Sequence, residues 1–386
     1  AEAMHLDTIS SLKTELEGYR KQLAKSYLTD REISDKLIEE AYNRSRTDVN
    51  ASHILVKLDE NANPADTLAA YKKIMGLKKR LDKGESFEKV AKENSEDPSA
   101  KSNEGNIGWF TVFGTIYPFE TVAYSLKPGE ISGPVRTEFG YHLVKLNATR
   151  EARGQIHTAH VLVRFPENAT PAEKDAVKKK IDSIYSLVSS GRLSFDDAVH
   201  NFSDDKASRA KGGELQWFGS GSPIRMVPEF EDAAFALQKD GDISKPVQSQ
   251  FGWHIIKRLE KREMPSFADA KNDMKKKVER DTRSQVAKNK LIERIKKESA
   301  FAENLAAKAE LNAKIDSTIS KGNWKSDSLL KASSNKMLFS LAGKTYTQAD
   351  FLDYVEKVAK RRSDKNKEGL INEYYEGFVN QKALDY

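Results

Sequence analysis

The sequence has no cysteine. Disulfides, cysteine nucleophiles, iron–sulfur clusters and thiolate zinc sites are therefore excluded. The absence leaves the redox compartment open, because an exported chain can simply avoid the residue. Long apolar stretches are missing too. No run reaches the roughly 18 residues needed to span a membrane as a helix, so no membrane span is expected. Charge of one sign is also lacking, with 64 Lys+Arg against 58 Asp+Glu and a net of +6. Such a balance is a poor footprint for a nucleic-acid partner, and none is expected. No secretory leader is read at Ala1, so an export signal, if the natural chain has one, is expected to have been removed or left out.

What the sequence does contain is a duplication. Ala51-Ser-His-Ile-Leu-Val56 returns as Ala159-His-Val-Leu-Val163, which aligns His53 with His160. Asn63-Pro64 and Thr170-Pro171 each place a cap residue before a proline at the first helical position, and Thr170 with Glu173 adds a capping box. Ser86-Phe-Glu88 matches Ser194-Phe-Asp196, Phe119-Glu120 matches Phe230-Glu231, and Phe139-Gly-Tyr-His142 matches Phe251-Gly-Trp-His254. The offset grows from 107 at His53/His160 to 112 at His142/His254, with each added residue in a Gly/Ser/Pro-rich stretch that tolerates insertion. Two units follow, at residues 50–149 and 156–261. About 100 residues can enclose a core, so a solenoid is excluded.

Within a unit, Ile54-Leu-Val56 reads as a central strand. Leu68, Tyr71, Ile74, Leu77 and Leu81 recur at helical spacing, Phe87, Val90 and Ala91 suggest a second helix, and 105–110 leads from a loop into a strand. Phe119 to Leu126 is a further helix, and 131–146 alternates about Gly140 as a hairpin does. The class is α+β, with helices over a small, mostly antiparallel sheet. Residues 1–49 read as a helical N-terminal segment, in which Thr29-Asp30 with Glu32 caps a helix bearing Ile33, Leu37 and Ala41. Residues 263–386 read as a mainly helical C-terminal segment. It opens with one long helical tract from Pro265 and carries a short hairpin near 337–346.

The ordered motifs carry a resemblance. Ser95-Glu-Asp-Pro-Ser99, Gly105-Asn-Ile-Gly-Trp-Phe110, Pro118-Phe-Glu120, Gly129-Glu-Ile-Ser-Gly-Pro-Val135 and Phe139-Gly-Tyr-His142 resemble the parvulin peptidyl-prolyl isomerases. The second unit repeats them with Ser203-Asp-Asp205, Gly212-Gly-Glu-Leu-Gln-Trp-Phe218, Gly241-Asp-Ile-Ser-Lys-Pro-Val247 and Phe251-Gly-Trp-His254. Two tandem parvulin domains between helical, chaperone-like arms are similar to the SurA-type periplasmic foldases. The resemblance implies rotation of X–Pro bonds without a cofactor or metal. It also implies unfolded or proline-containing polypeptide clients, outer-membrane proteins among them, and a periplasmic or cell-envelope location.

Residue by residue, the resemblance puts the proline pocket on Ile116 and Phe119 in the first unit and on Met226 and Phe230 in the second. Ile107 and Leu215 match its apolar wall. Asp97 and Asp205 match the carboxylate or thiol beside the twisting carbonyl. The paired histidines are His53 with His142 and His160 with His254, and Thr137 and Ser249 match the hydroxyl that bonds within each pair. Plainer readings stand beside these. A histidine on an apolar strand is commonly a satisfied core residue, the phenylalanines and Met226 can be ordinary core, and Asp97 before Pro98 can be a turn residue. His157 with His160 is weak zinc spacing, and Gly219-Ser-Gly-Ser222 reads as a loop. Two departures from the family pattern bear on activity: Ile116 stands for the usual methionine after a shorter loop, and Gln216 for a glycine. Both units are expected to be active, the second more so because methionine adapts to its contents. A client-holding chaperone that uses parvulin folds without catalysis is the alternative.

Overall fold

The computed structural model describes residues 31–60, 62–321, 324–326, 334–360 and 367–386, with the single positions 19 and 331. The cap expected at Thr29-Asp30 lies outside the described residues. The helix it was to start, α1, runs Arg31–Ser45. Strand β1 (Thr47–Lys57) follows at once, so extended structure begins before residue 50. The cause is the partner strand β4 (Gly140–Glu151), which continues far enough to pair Thr47 with Glu151 and Asp48 with Arg150.

The first unit then runs through α2 (Pro64–Asp82), α3 (Phe87–Asn94), α4 (Ala100–Asn103), β2 (Asn106–Phe110), α5 (Tyr117–Ser125) and β3 (Val135–Thr137) into β4. Its sheet order is β2-β1-β4-β3, and every pair is antiparallel. The second unit repeats the plan with β5 (Gln155–Arg164), α6 (Pro171–Ser189), α7 (Phe195–Phe202), α8 (Lys206–Arg209), β6 (Phe218–Gly219), α9 (Pro228–Ala236), β7 (Val247–Ser249) and β8 (Gly252–Arg262), in the order β6-β5-β8-β7.

Each sheet has two packed faces because its strands alternate. In the first unit Ile54, Val56 and Leu143 pack on Ile74, Leu77 and Leu81 of α2 and Phe87 and Val90 of α3. The opposite face packs Val49, Ala51, Val144 and Leu146 on Phe119 and Ala123 of α5. The second unit divides in the same way between α6/α7 and α9. Helix α2 starts where expected, with the Asn63 side chain accepting from the Asp66 amide at 2.9 Å. Its buried stripe is Ala70, Ile74, Leu77 and Leu81; Leu68 and Tyr71, assigned to the same stripe by spacing, are exposed. They lie in the first turns, where Tyr71 meets the half-buried Tyr141 ring at 5.6 Å.

The long tract expected from Pro265 is two helices, α10 (Phe267–Arg280) and α11 (Ser284–Glu298). It breaks at Asp281, which is extended and accepts from the Arg283 amide at 2.9 Å. Helix α10 buries Ala270, Met274 and Val278 against Leu37, Ile38 and Ala41 of α1, so the two arms share a core. Beyond it, β9 (Ala302–Glu303), β10 (Met337–Leu341) and β11 (Lys344–Thr347) form a sheet in the order β11-β10-β9. Around it α12 (Leu305–Lys314), α13 (Gln348–Val358) and α14 (Lys367–Leu384) bury Phe339, Phe351, Tyr375 and Phe378. The hairpin was legible in sequence; the two-residue strand β9 was too short to be.

Candidate active site

The central strands β1 and β4 place the two histidines of the first unit on the α5 face. His53 Nδ1 lies 3.2 Å from His142 Nδ1, and His53 Nε2 lies 2.7 Å from Asp97 Oδ2. Thr137 Oγ1 lies 2.8 Å from His142 Nε2 and accepts from the Phe139 amide at 3.2 Å. The second unit reproduces the chain: His160 to His254 at 3.2 Å, His160 to Asp205 at 2.9 Å, Ser249 to His254 at 2.8 Å, and the Phe251 amide to Ser249 at 3.1 Å. All eight residues assigned to this role therefore come together as two sets of four.

The donors in this chain can be assigned by elimination. An ionised Asp97 only accepts, so His53 donates from Nε2, and with a single proton on each imidazole it accepts at Nδ1. His142 must then donate from Nδ1 and accept at Nε2, which leaves the Thr137 hydroxyl as donor to it. Every ring nitrogen of the pair finds a partner, and the donors run in a single direction from the hydroxyl to the carboxylate. Burial, followed by the neighbouring His53, holds His142 down to about 3. Burial and then His160 do the same to His254, also about 3, and burial lowers His160. Burial pushes the Asp97 carboxyl up, but the Ser99 amide, His53 and the Ser99 hydroxyl outweigh it and bring it below the ordinary aspartate value. Asp205 is lowered in the same way, burial being outweighed by the Ser208 hydroxyl and His160. The turn and site readings of Asp97 are thus not exclusive: Oδ1 accepts from the Ser99 amide at 2.9 Å while Oδ2 meets His53.

The apolar residues sit directly against this chain. Phe119 meets the His53 and His142 rings edge-on at 5.7 and 5.6 Å, and Phe230 meets His160 and His254 at 5.6 and 5.2 Å. Half-buried Ile107 and Ile116 pack in the cluster of Phe119, and half-buried Leu215 and Met226 in that of Phe230. Each unit thus presents a partly open apolar patch over a fixed polar chain, with a half-buried carboxylate at one end. Backbone approach is close here. A Cβ on Gly105 would lie 2.6 Å from the His53 carbonyl oxygen, and one on Gly213 would lie 2.5 Å from that of His160.

Other sequence readings are resolved as well. His157 stacks on Trp217 at 5.3 Å, whereas the His160 ring faces His254. Gly219 belongs to β6 rather than to a loop, and Ser220 donates to Asp48 at 2.9 Å. Gln216 stands where the equivalent edge of the first unit is a continuous strand; β6 keeps only the pairs Ile156–Phe218 and Gln155–Gly219.

Sequence reasoning missed the role of the glutamate after each pocket phenylalanine. Glu120 is fully buried and accepts from Arg44 of α1, Arg283 of the C-terminal segment and the Phe113 amide, each at 2.8 Å. Glu231 accepts from Arg150 at 2.7 Å and from Arg153. The repeated Phe-Glu pair was the available signal, but its arginine partners occupy no repeated position.

Two family models match the chain, both described as the PPIC-type PPIASE domain, over residues 53–148 and 141–262. The chain is similar to the chaperone SurA of Photorhabdus laumondii, 34% identical over 246 residues, covering 62% of this chain and 55% of the relative. It is likewise 33% identical over 264 residues to the chaperone SurA of Nitrosococcus oceani, covering 64% and 60%. The chain thus spans 55 to 60% of the length of these relatives. Among solved structures, the peptidylprolyl isomerase PrsA from Bacillus anthracis matches at 35% identity and a TM-score of 0.25, covering 33% of this chain and 50% of that one.

Proposed function

The chain belongs to the PPIC-type peptidyl-prolyl isomerase family, which it carries as two tandem domains, and from that premise we propose that it isomerises X–Pro bonds in unfolded polypeptides and also chaperones them. The observation that carries this reading is the duplicated carboxylate–His–His–hydroxyl chain under Phe119 and Phe230.

The chemistry needs no covalent step. Unaided isomerisation crosses about 20 kcal/mol, because the planar amide must lose its resonance. Resonance places negative charge on the carbonyl oxygen, and twisting withdraws it. A carboxylate beside that oxygen opposes the planar state more than the twisted one, so Asp97 and Asp205 lower the barrier by differential interaction. The apolar patch holds the proline ring, and the His53 and His160 rings hold the carboxylates in place through Nε2. Lowering the barrier by about 5 kcal/mol accelerates the step by roughly 10³- to 10⁴-fold.

We read the catalytic units as residues 50–149 and 156–261, and the arms as the part that holds the client. A cleft of about 800 Å³ between the units and α10, lined by Trp109, Phe110, Arg150, Pro223, Arg262 and Met274, supports a holding role separate from catalysis. The SurA relatives support polypeptide clients and a periplasmic or cell-envelope site of action; outer-membrane proteins are the client class that the family resemblance implies. Among the described residues no helix is long and apolar enough to cross a membrane.

Replacing Asp97 and Asp205 together with alanine tests the catalytic reading. Proline-peptide isomerisation is expected to fall roughly 10²-fold, while suppression of aggregation of an unfolded client is retained. Unchanged isomerisation would refute the assigned chemistry. A parent chain that suppresses aggregation but never isomerises would leave the holding function alone.

A further inference from the structure

The helix that carries the pocket phenylalanine of the second unit is held from outside that unit. Helix α9 is nine residues long, its N-cap Val227 makes no side-chain cap bond, and its buried residues are Phe230 and Ala234. Residues four apart lie one above the other on a helix, so these two contacts define a line and fix the rotation of α9 about it only loosely. Glu231 projects about 100° round the axis from Phe230. There it accepts from Arg150 at 2.7 Å and from Arg153, while the next residue, Asp232, accepts from Arg153 at 2.7 Å. Arg150 ends β4 of the first unit, and Arg153 lies in the connection to β5.

These arginines are themselves fixed. Arg150 donates from Nε to the buried Asp48 of β1 at 3.1 Å, and its guanidinium lies 4.3 Å from the Trp109 ring. Asp48 also accepts from Ser220 Oγ at 2.9 Å, and Ser220 Oγ accepts from the Arg153 amide at 2.9 Å. A closed set of contacts thus runs from the first unit to α9. In the first unit Glu120 stands in the same relation to Phe119, but Arg44, Arg283 and the Phe113 amide hold it. The two anchors share no equivalent partner, yet the ring poses agree. Phe119 meets His53 and His142 at 81° and 82°, and Phe230 meets His160 and His254 at 82° and 80°.

We propose that Glu231 is a positioning residue of the second isomerase site, through which the first unit sets the angle at which Phe230 faces its histidine pair. The second site is then a dependent one: its grip on proline needs the first unit docked against α9. The inference rests on the isomerase reading and adds to it a dependence of one site on the other unit.

The test uses the full chain carrying Asp97→Ala, so that isomerisation of a short proline peptide reports the second unit. In the isomerase reading Phe230 touches the proline ring in the ground and transition states alike, so a misplaced ring raises KM and spares kcat. Adding Glu231→Ala is expected to raise KM about fivefold with kcat within about twofold. Glu231→Asp, which keeps the charge, is expected to hold KM within about twofold of its background. Arg153→Ala is expected to raise KM by about two- to threefold and to add nothing to Glu231→Ala, because both act through one contact. In the chain carrying Asp205→Ala, which reports the first unit, Glu231→Ala is expected to leave KM unchanged. A role in folding alone would lower the active fraction, and with it kcat, at constant KM. That result, a KM that moves equally in both backgrounds, full additivity with Arg153→Ala, or a silent Asp97→Ala chain from an active parent overturns the positioning role and leaves the isomerase reading standing. A parent that isomerises no peptide overturns both.

Discussion

In the first unit the glutamate behind the pocket phenylalanine is sealed from solvent, and the two arginines that hold it, Arg44 and Arg283, come from the two arms. In the second unit the equivalent Glu231 keeps 15% side-chain exposure, and its arginines are Arg150 from the end of β4 and Arg153 from the connection to β5. The edges differ as well, a five-residue β2 against a two-residue β6. Between these divergent borders the polar chain hardly changes, the three corresponding contacts agreeing within 0.2 Å (3.2 and 3.2, 2.7 and 2.9, 2.8 and 2.8). The difference teaches where tolerance lies. A buried chain in which every ring nitrogen is partnered admits no substitution that removes a donor, whereas an anchor can be rebuilt from whatever segment lies beside it.

The anchors offer the sharpest way to break this comparison. Arg283 is fully buried, the Phe113 and Tyr117 rings lie 4.2 and 4.9 Å from its guanidinium, and its Nη1 has no hydrogen-bond partner. Glu120→Gln would leave Arg283 only its Asp281 partner at 2.7 Å and remove the buried charge that sits between two arginines, at a cost of about 3 kcal/mol. Glu231→Gln leaves arginines that water can reach and should cost about 1 kcal/mol or less. Urea unfolding of the two variants, with hydrogen exchange followed on α5 and α9, reads the difference. Equal losses would show that the two anchors are equivalent.

Acid should act on both units, and more on the second, where burial lowers His160 as well. His142 and His254 sit at about 3 in the folded chain, below the 6.5 of a free imidazole. The unfolded chain therefore binds protons first, and stability present above pH 6.5 is lost as pH falls toward 3. Between pH 7 and 4.5 this amounts to about 3 kcal/mol per unit. The lowered Asp97 and Asp205 add a loss in the same direction, beginning near the free value of 3.8. Urea midpoints at the two pH values, resolved by unit through hydrogen exchange, check it. A unit that keeps its stability at pH 4.5 would show that its histidines are not held neutral by burial.

The parts of the site that sequence made legible are those that the chain writes twice. His53, Asp97 and His142 could be aligned with His160, Asp205 and His254 because strand and turn chemistry constrain local spacing, and the network connects residues on neighbouring strands. The Ser99 and Ser208 contacts to the aspartates were within reach of the same reasoning, two and three residues downstream. Arg283 was not, since nothing local to α10 and α11 says that the break between them feeds a cation into a unit 163 residues earlier. Leu68 and Tyr71 fit a helical stripe by spacing, but spacing cannot say where a helix overhangs its sheet. Periodicity reports which face of a helix is apolar; the extent of the partner surface decides how much of that face is covered.

The smallest expected effect concerns the pockets themselves. Ile116 and Met226 occupy equivalent places beside Phe119 and Phe230. A β-branched side chain is stiff at its first torsion, whereas methionine has three rotatable bonds and a polarisable sulfur. The second pocket should therefore admit the turning proline with less rearrangement. Each unit can be read in the full chain by silencing the other, with Asp97→Ala reporting the second unit and Asp205→Ala the first. The Asp97→Ala chain is expected to keep the larger share of kcat/KM. Adding Met226→Ile to it should lower that share by roughly two- to threefold, and Ile116→Met in the Asp205→Ala chain should raise the first unit by a similar factor, well under the 1.4 kcal/mol of a tenfold change. A silent second unit beside an active first would reverse the ranking. It would move the cause away from the methionine, toward the shortened edge, where Leu215 and Gln216 lie outside β6.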